Sequence, residues 1–389
     1  MGETALVLTG GGARAAYQAG AVRALSELAP GPGMPFRVLA GVSAGAINAA
    51  FLGSHADDFP AAVRRLGEIW GSLSPERIYR TDAPRLVAIG SRWMRDLSAG
   101  GLFGRSRINF LLDASPLQEL LAETIPVGRL TRHFASGRLR GVAVTATSYA
   151  TNVAVSFFDG DPAIQPWVRS TRIGVRDTLR LHHVLASAAI PIFFPPVRIK
   201  GAFYGDGCVR MNAPLSPAIH LGADKIVTVS VRHWRAPEEL MPGRARRDFL
   251  APSEIAGVLM NAVFLDAVEG DVERLERVNR MLALIPPEER RRALHPMRPV
   301  PSLVLRPSRD LGKLAEDQYK RFPRMLRYLL RGIGAGNGNG SELLSYLAFE
   351  PVYVGRLMEL GYQDTMVRRR EVQAFLAEPV QPERLRSPG

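Results

Sequence analysis

Five residues, Gly41-Val42-Ser43-Ala44-Gly45, separate an apolar β-type run, Phe36 to Ala40, from a helical run, Ala46 to Leu52. A strand that passes into a helix over so short a stretch needs a sharp turn, and repeated strand-turn-helix units build α/β sheets. Such a turn strains the backbone of its central serine and lifts that side chain out of the sheet, near the positive end of the helix that follows. Gly41 and Gly45 fit the same constraint, since any side chain there would collide with the strand or helix alongside. Ser43 is therefore the candidate nucleophile of a nucleophile elbow.

The rest of the first 235 or so residues repeats this alternation. Candidate strands are Ala5 to Thr9, Phe36 to Ala40, Gly141 to Thr147, Val153 to Phe158 and Lys225 to Val231. They are mostly apolar and do not alternate, as strands of a largely parallel sheet with helices on both faces should be. A mainly helical stretch, about residues 55 to 135, interrupts the series and carries Trp70, Trp93, Met94, Leu102 and Phe103. It is a candidate cap. From about residue 245 the pattern becomes helical and Arg-rich, which divides the chain into residues 4–235 and 245–389. Ile255, Val258, Leu259, Ala262, Val263, Val268, Val272, Leu275 and Val278 recur at three- and four-residue spacing, which predicts one amphipathic helix with Ser253 as N-cap. Residues 332–341, rich in glycine, read as a flexible linker.

Two further clusters bear on chemistry. The first candidate strand runs into Thr9-Gly10-Gly11-Gly12-Ala13-Arg14 and then a helix with Val22, Leu25 and Leu28 on one face. Consecutive glycines let backbone N–H groups converge on a negative atom, either an oxyanion or a pyrophosphate. Gly10, Gly12 and Ala15 also fit G-x-G-x-x-A, but a dinucleotide site needs a carboxylate at the end of the second strand, and none stands there. An oxyanion loop and a plain tight turn remain. The second cluster is the apolar stretch Leu185 to Val197 leading to Gly205-Asp206-Gly207-Cys208. A carboxylate in so apolar a setting has a raised proton affinity and makes a better general base than an ordinary Asp-Gly turn residue.

Composition limits the partners. The net charge of +13 includes clusters at Arg244 with Arg246 and Arg247, at Arg290 to Arg292, and at Arg368 to Arg370. Such an excess attracts polyanions, so an anionic membrane surface is a candidate partner beside plain solvated basic faces. The single cysteine, Cys208, can form no intrachain disulfide and anchors no Cys-rich zinc site. No cofactor or metal is expected. The first residues show no basic start, long apolar segment or cleavage site, and no run approaches roughly 18 uninterrupted apolar residues. A cytoplasmic protein, at most peripheral on a membrane, is expected.

Taken together, the Gly-rich loop ending in Arg14, the Gly-x-Ser-x-Gly elbow, the Ala186-Ser187-Ala188-Ala189-Ile190-Pro191 stretch with Phe193-Phe194-Pro195-Pro196, and Asp206-Gly207 resemble the patatin-like phospholipases in order and spacing. The resemblance covers roughly residues 4 to 232. It implies a three-layer α/β/α fold, a Ser-Asp dyad of Ser43 and Asp206 without catalytic histidine, and hydrolysis of phospholipid or other acyl-lipid esters. Gly10, Gly11, Gly12, Ala13 and Arg14 match the family's oxyanion loop. Two positions depart from the pattern. Ala15 stands where the family usually has Gly, and Cys208 follows Gly207 where Gly or Ala is usual, which adds strain if that position needs a positive φ.

The competing readings are few. A Ser-His-Asp esterase needs a histidine base, and only His220, His233 and His295 follow Asp206, none in a recognisable box. A coenzyme-linked acyltransferase usually carries His before the elbow serine, where this chain has Val42. A lipid-binding or regulatory protein that kept the fold and lost turnover is the rival outside enzymes. No nucleic-acid partner is expected, and the oligomeric state is not legible.

Overall fold

A computed structural model describes residues 2–31, 33–80, 91, 110–234, 251–292, 297–322, 327, 331 and 340–379. Trp93, Met94, Leu102, Phe103, the Arg244 to Arg247 cluster and residues 332–339 of the expected linker lie outside the described residues.

Among the described residues, ten strands make one mixed sheet. β1 (Thr4–Leu8), β2 (Val38–Val42), β3 (Gly141–Ser148), β4 (Ala154–Gly160) and β9 (Lys225–Val229) fall within about two residues of the five strands expected from apolar runs. β5 (Trp167–Val168), β6 (Arg172–Arg176), β7 (Val197–Ile199), β8 (Ala202–Asp206) and β10 (Ser302–Leu305) were not singled out in the sequence. They are short, and β6 has arginine at both ends, so their apolar signal is weak. The order is β10-β9-β1-β2-β3-β4-β6-β5, with the β7–β8 hairpin attached through β8 to β3. From β10 to β3 every pairing is parallel, and β3–β4 is antiparallel.

Alternate residues of β1 feed two cores, which explains the lack of polar alternation. Leu6 and Leu8 join one cluster with residues of α1 (Ala16–Leu28), α2 (Ala44–Ser54) and α3 (Phe59–Gly71), while Ala5 and Val7 join another with Leu215, Ala218, Val268 and Val272. The result is three layers, helices on both faces of a sheet. α3 starts where Asp58 accepts from the Ala61 N–H at 3.0 Å, an N-cap with proline in the first turn.

The expected single helix from Ser253 is two, Pro252–Phe264 and Ala267–Ala283. The break has a packing reason. Phe264 and Leu265 bury in the first cluster and Val268 and Val272 in the second, so the chain turns as it passes from one to the other. Ser253 is also not the N-cap. Pro252 opens the helix, Glu254 Oε2 accepts the Ala251 N–H at 3.0 Å, and the Ser253 hydroxyl is buried within the first turn. Among the described residues no helix is long and apolar enough to cross a membrane.

Helices Ser341–Leu347 and Pro351–Val367 pack on the same face of the sheet as α1. A Cβ on Gly20 of α1 would lie 1.7 Å from Met358 O, and one on Gly361 would lie 2.0 Å from Tyr17 O, so α1 and helix Pro351–Val367 cross backbone to backbone. Lys225 Nζ donates to Phe375 O, Leu376 O and Glu378 O at 2.6, 3.1 and 2.8 Å, tying the last described helix to β9. Gly361→Ala should therefore destabilise the protein by about 1–3 kcal/mol through overpacking. Gly355→Ala on the same helix, where a Cβ meets nothing within 4 Å, should be neutral or stabilising by up to about 1 kcal/mol. Chemical denaturation of the two variants measures both; equal behaviour would remove the close crossing.

Candidate active site

Parallel register brings the two key side chains to one place. Val42, the last residue of β2, pairs with Thr145 of β3, and just beyond it on the same edge of β3, opposite β4, Asp206, the last residue of β8, pairs with Ala146. Ser43 follows Val42 with φ 55° and ψ −132°, a left-handed backbone that costs of order 1–3 kcal/mol in a non-glycine residue. Gly41 and Gly45 leave no room for side chains: a Cβ would stand 2.4 Å from Gly45 O and 2.2 Å from Leu8 O respectively. Ser43 sits at the N-terminus of α2, where the helix dipole favours developing negative charge.

Ser43 Oγ donates to Asp206 Oδ2 at 2.6 Å. Asp206 is fully buried and held on all sides. Its Oδ1 accepts the Cys208 N–H at 2.9 Å, its own N–H donates to Ala189 O at 2.8 Å, and its carbonyl accepts from Thr147 Oγ1 at 2.8 Å. Burial pushes its carboxyl up to about 7, against the opposing effect of the hydrogen bonds from Ser43 and Cys208. The Ser43 N–H is not free for a ligand: it donates to Ser187 Oγ at 2.9 Å, and Ser187 in turn donates to Thr145 O at 2.6 Å. Ser187 stands inside the Ala-Ser-x-Ala-Ile-Pro stretch, so a signal was present, but its partner is visible only in three dimensions.

The Gly-rich loop closes the other side. A Cβ on Gly10 would fall 2.9 Å from Ser43 Cβ and 2.3 Å from Cys208 Sγ, so only glycine fits. Gly11 and Gly12 have φ 153° and 56°, and Ala13 is buried in the 3₁₀ turn Gly12–Ala15. Arg14 is the residue of the loop that the structure takes away from the site. Its N–H donates to Gly11 O at 3.1 Å, and its guanidinium points to Glu342 and Ser345, because a buried charge goes where its counter-charge is. The strain that Cys208 would bring at a positive φ does not arise, and neither departure sits in a left-handed backbone. Ala15 has φ −68°, and Cys208 is not among the positive-φ residues. The Cys208 thiol is buried and pushed well above its ordinary value by desolvation, which makes it a poor nucleophile.

An apolar cavity of about 60 Å³ opens at Ser43 and Gly12. Ile47 and Phe51 of α2, Trp70 of α3, Leu117 and Leu121 of helix Ser115–Thr124, and Phe194 form much of its wall. The described part of the 55–135 stretch thus supplies one side of the cavity, and Phe194 belongs to core and wall together. Behind the wall runs a buried polar chain. Trp70 Nε1 donates to Asn48 Oδ1 at 2.8 Å, Asn48 Nδ2 to Gln18 Oε1 at 2.9 Å, and Gln18 Nε2 to Thr9 O at 2.7 Å. Nothing in the sequence marked Asn48 or Gln18 beyond their being polar in apolar helical runs.

Among the described residues no histidine hydrogen-bonds Ser43 or Asp206. His183, buried, accepts from Arg180 N at 3.0 Å, and His220 stacks on Trp167 at 4.5 Å between ring centres. His295 lies outside the described residues. No His, Cys, Asp and Glu grouping suited to a metal occurs among the described residues.

The family model for patatin-like phospholipases matches residues 6–219. No individual curated protein matches the sequence. Similar solved structures are VipD from Legionella pneumophila, 13% identical with TM-score 0.37, covering 95% of this chain and 67% of that one. Human GIVD cytosolic phospholipase A2 with methyl gamma-linolenyl fluorophosphonate is 14% identical with TM-score 0.44, covering 96% and 58%. The type III effector protein ExoU of Pseudomonas aeruginosa is 14% identical with TM-score 0.36, covering 96% and 54%. This chain spans little more than half to two thirds of the length of these proteins.

The raised pKa of Asp206 makes a stability prediction. The folded state holds a proton near pH 7 that the unfolded chain releases near pH 4. This carboxyl therefore supports the fold fully below about pH 4, and that support is lost as pH rises to about 7. Asp206→Asn, which cannot ionise, should be more stable than the unaltered protein at pH 8 by on the order of 1–4 kcal/mol, with the gap closing near pH 4. Melting curves across this range test it; a pH-independent difference would mean that Asp206 is not the group being titrated.

Proposed function

Because the chain belongs to the patatin-like phospholipase family, which implies lipid ester hydrolysis, we propose that it cleaves fatty-acyl esters of phospholipids or lysophospholipids through a Ser43-Asp206 dyad. The observation that carries this reading is the 2.6 Å hydrogen bond from Ser43 Oγ to a buried Asp206 carboxylate at the mouth of an apolar cavity.

As Ser43 Oγ forms its bond to the ester carbonyl carbon, its proton passes to Asp206 Oδ2 and the carbonyl oxygen becomes an oxyanion. The backbone around Gly10 to Ala13, with the α2 N-terminus, stabilises that charge; one such donor is typically worth about 10²–10³ in turnover. Collapse breaks the bond to the alcohol, which takes the proton from Asp206 and leaves. Water then attacks the acyl-enzyme and gives its proton to Asp206. The fatty acid departs and Ser43 regains its hydrogen. The cavity holds the acyl chain, and the lack of charged side chains among the described residues of its wall favours the hydrocarbon over a head group. The chain's charge of +13 supports an anionic membrane surface as the place where substrate is met.

Ser43→Ala should lose on the order of 10⁴ to 10⁶ in turnover with the fold intact, and Asp206→Asn should be nearly inactive. Since the carboxylate form is the base, kcat/KM should fall below about pH 7, the range to which burial raises Asp206. Each single His→Ala variant should keep at least roughly a tenth of kcat/KM, a loss of about 1.4 kcal/mol or less; a folded histidine variant as inactive as Ser43→Ala would put a triad in place of the dyad. Liposome binding should favour anionic over neutral lipid and weaken with salt. Co-sedimentation without that preference would leave the charge with another role.

A further inference from the structure

The Gly-rich loop is gripped from behind by a segment more than 300 positions away. Arg14 is 2% exposed and donates from Nη2 to Glu342 Oε2 at 2.5 Å and to Glu342 O at 3.1 Å, and from Nε to Ser345 Oγ at 2.7 Å, across |i−j| of 328 and 331. Its guanidinium lies 4.3 Å from the centre of the Tyr346 ring, a cation–π contact away from water. The Glu342 carboxylate is itself aimed, because Asn261 Nδ2 donates to the same Oε2 at 2.9 Å while Asn261 Oδ1 accepts from Tyr346 Oη at 3.0 Å. At Gly12 the backbone of helix Ser341–Leu347 takes the place of a side chain, since a Cβ there would stand 2.3 Å from Tyr346 O. Phe349, just beyond this helix, lines the cavity at Ser43.

We propose that Glu342 is a positioning residue for the hydrolysis: through Arg14 it fixes the Gly10 to Ala13 backbone against Ser43, so that residues 341–349, outside the matched stretch 6–219, complete the active site. The inference rests on the reading of that loop as the oxyanion hole. The physical ground is that a buried guanidinium deprived of its carboxylate is an uncompensated charge, and the short turn Gly12–Ala15 that carries it relaxes to rehydrate it. Gly12 opens the turn that holds Arg14 and Gly10 lies two residues before it, so this relaxation is felt where the oxyanion forms.

The test uses the full chain with a chromogenic acyl ester, an alkyl fluorophosphonate and the free fatty acid of the same chain length. Glu342→Ala should lower kcat and the rate of phosphonate inactivation together by about 10- to 100-fold, since both reactions place an oxyanion in the loop. KM and competitive inhibition by the fatty acid, which read the acyl cavity alone, should stay within about twofold. Glu342→Gln, whose amide oxygen still accepts from Arg14, should recover most of the rate, and Arg14→Ala with Glu342→Ala should be no slower than Arg14→Ala alone. If Glu342→Ala does not fold, Glu342→Asp decides, since its shorter side chain draws the carboxylate back from Arg14: a selective loss of inactivation rate supports the role and an unchanged rate overturns it. Folded Glu342→Ala at full rate overturns the inference, and so does a parallel loss of kcat and fatty-acid binding, which means general loosening. Ser43→Ala separates the two levels: if it still hydrolyses ester, the dyad reading itself falls, whereas an inactive Ser43→Ala beside a full-rate Glu342→Ala removes only the role of Glu342.

Discussion

The hydrogen bond from Ser43 to Asp206 joins residues 163 positions apart, and the site depends on the strand that makes it reachable. β3 pairs in parallel with β2 and, at its C-terminal end, antiparallel with β8. Ser43 and Asp206 therefore leave strands that meet end to end along one edge of β3. A slip of one residue in either pairing would turn one of the two side chains to the other face. The two hydrophobic clusters that bury alternate faces of β1, β2 and β3 hold that register.

The site is locally unfavourable in several ways at once. A carboxylate is fully buried with its proton affinity raised, a serine holds a left-handed backbone, and Gly10, Gly41 and Gly45 stand where no side chain fits. Strain and desolvation of this kind persist only where surrounding structure over-determines them. Here the over-determination is visible. Ser187 takes the Ser43 N–H, Cys208 and Ser43 satisfy both Asp206 oxygens, and the Trp70-Asn48-Gln18 chain anchors the Thr9 carbonyl just before the Gly-rich loop. Every polar group in these sets has a partner, which is the condition under which a buried polar network rigidifies a core.

The C-terminal region is tied to the same centre. Helix Pro351–Val367 crosses α1 at contact distance through Gly20 and Gly361, β10 extends the sheet beside β9, and Phe349 enters the cavity wall. The helices of the 55–135 stretch reach the cavity from the opposite side of the chain order, through Trp70, Leu117 and Leu121. An apolar pocket built from both sequence ends and an internal insertion has no signature in any local window.

The sequence by itself determined the α/β class, five strands, the sharp turn at Ser43 and the loop of glycines, because each rests on local rules: apolar period, the forbidden volume of a Cβ, and backbone freedom at glycine. It marked Asp206 only through an apolar neighbourhood and family resemblance. The tertiary structure decided the rest. Arg14 turned from the loop's interior to Glu342, Ser187 became the acceptor for the Ser43 amide, and the helix expected from Ser253 broke at Leu265 and Asp266. These outcomes depend on which surfaces meet and how completely water is excluded. Counter-charges, hydrogen-bond partners and burial come from residues hundreds of positions away, and their effects exist only once the chain has closed around them.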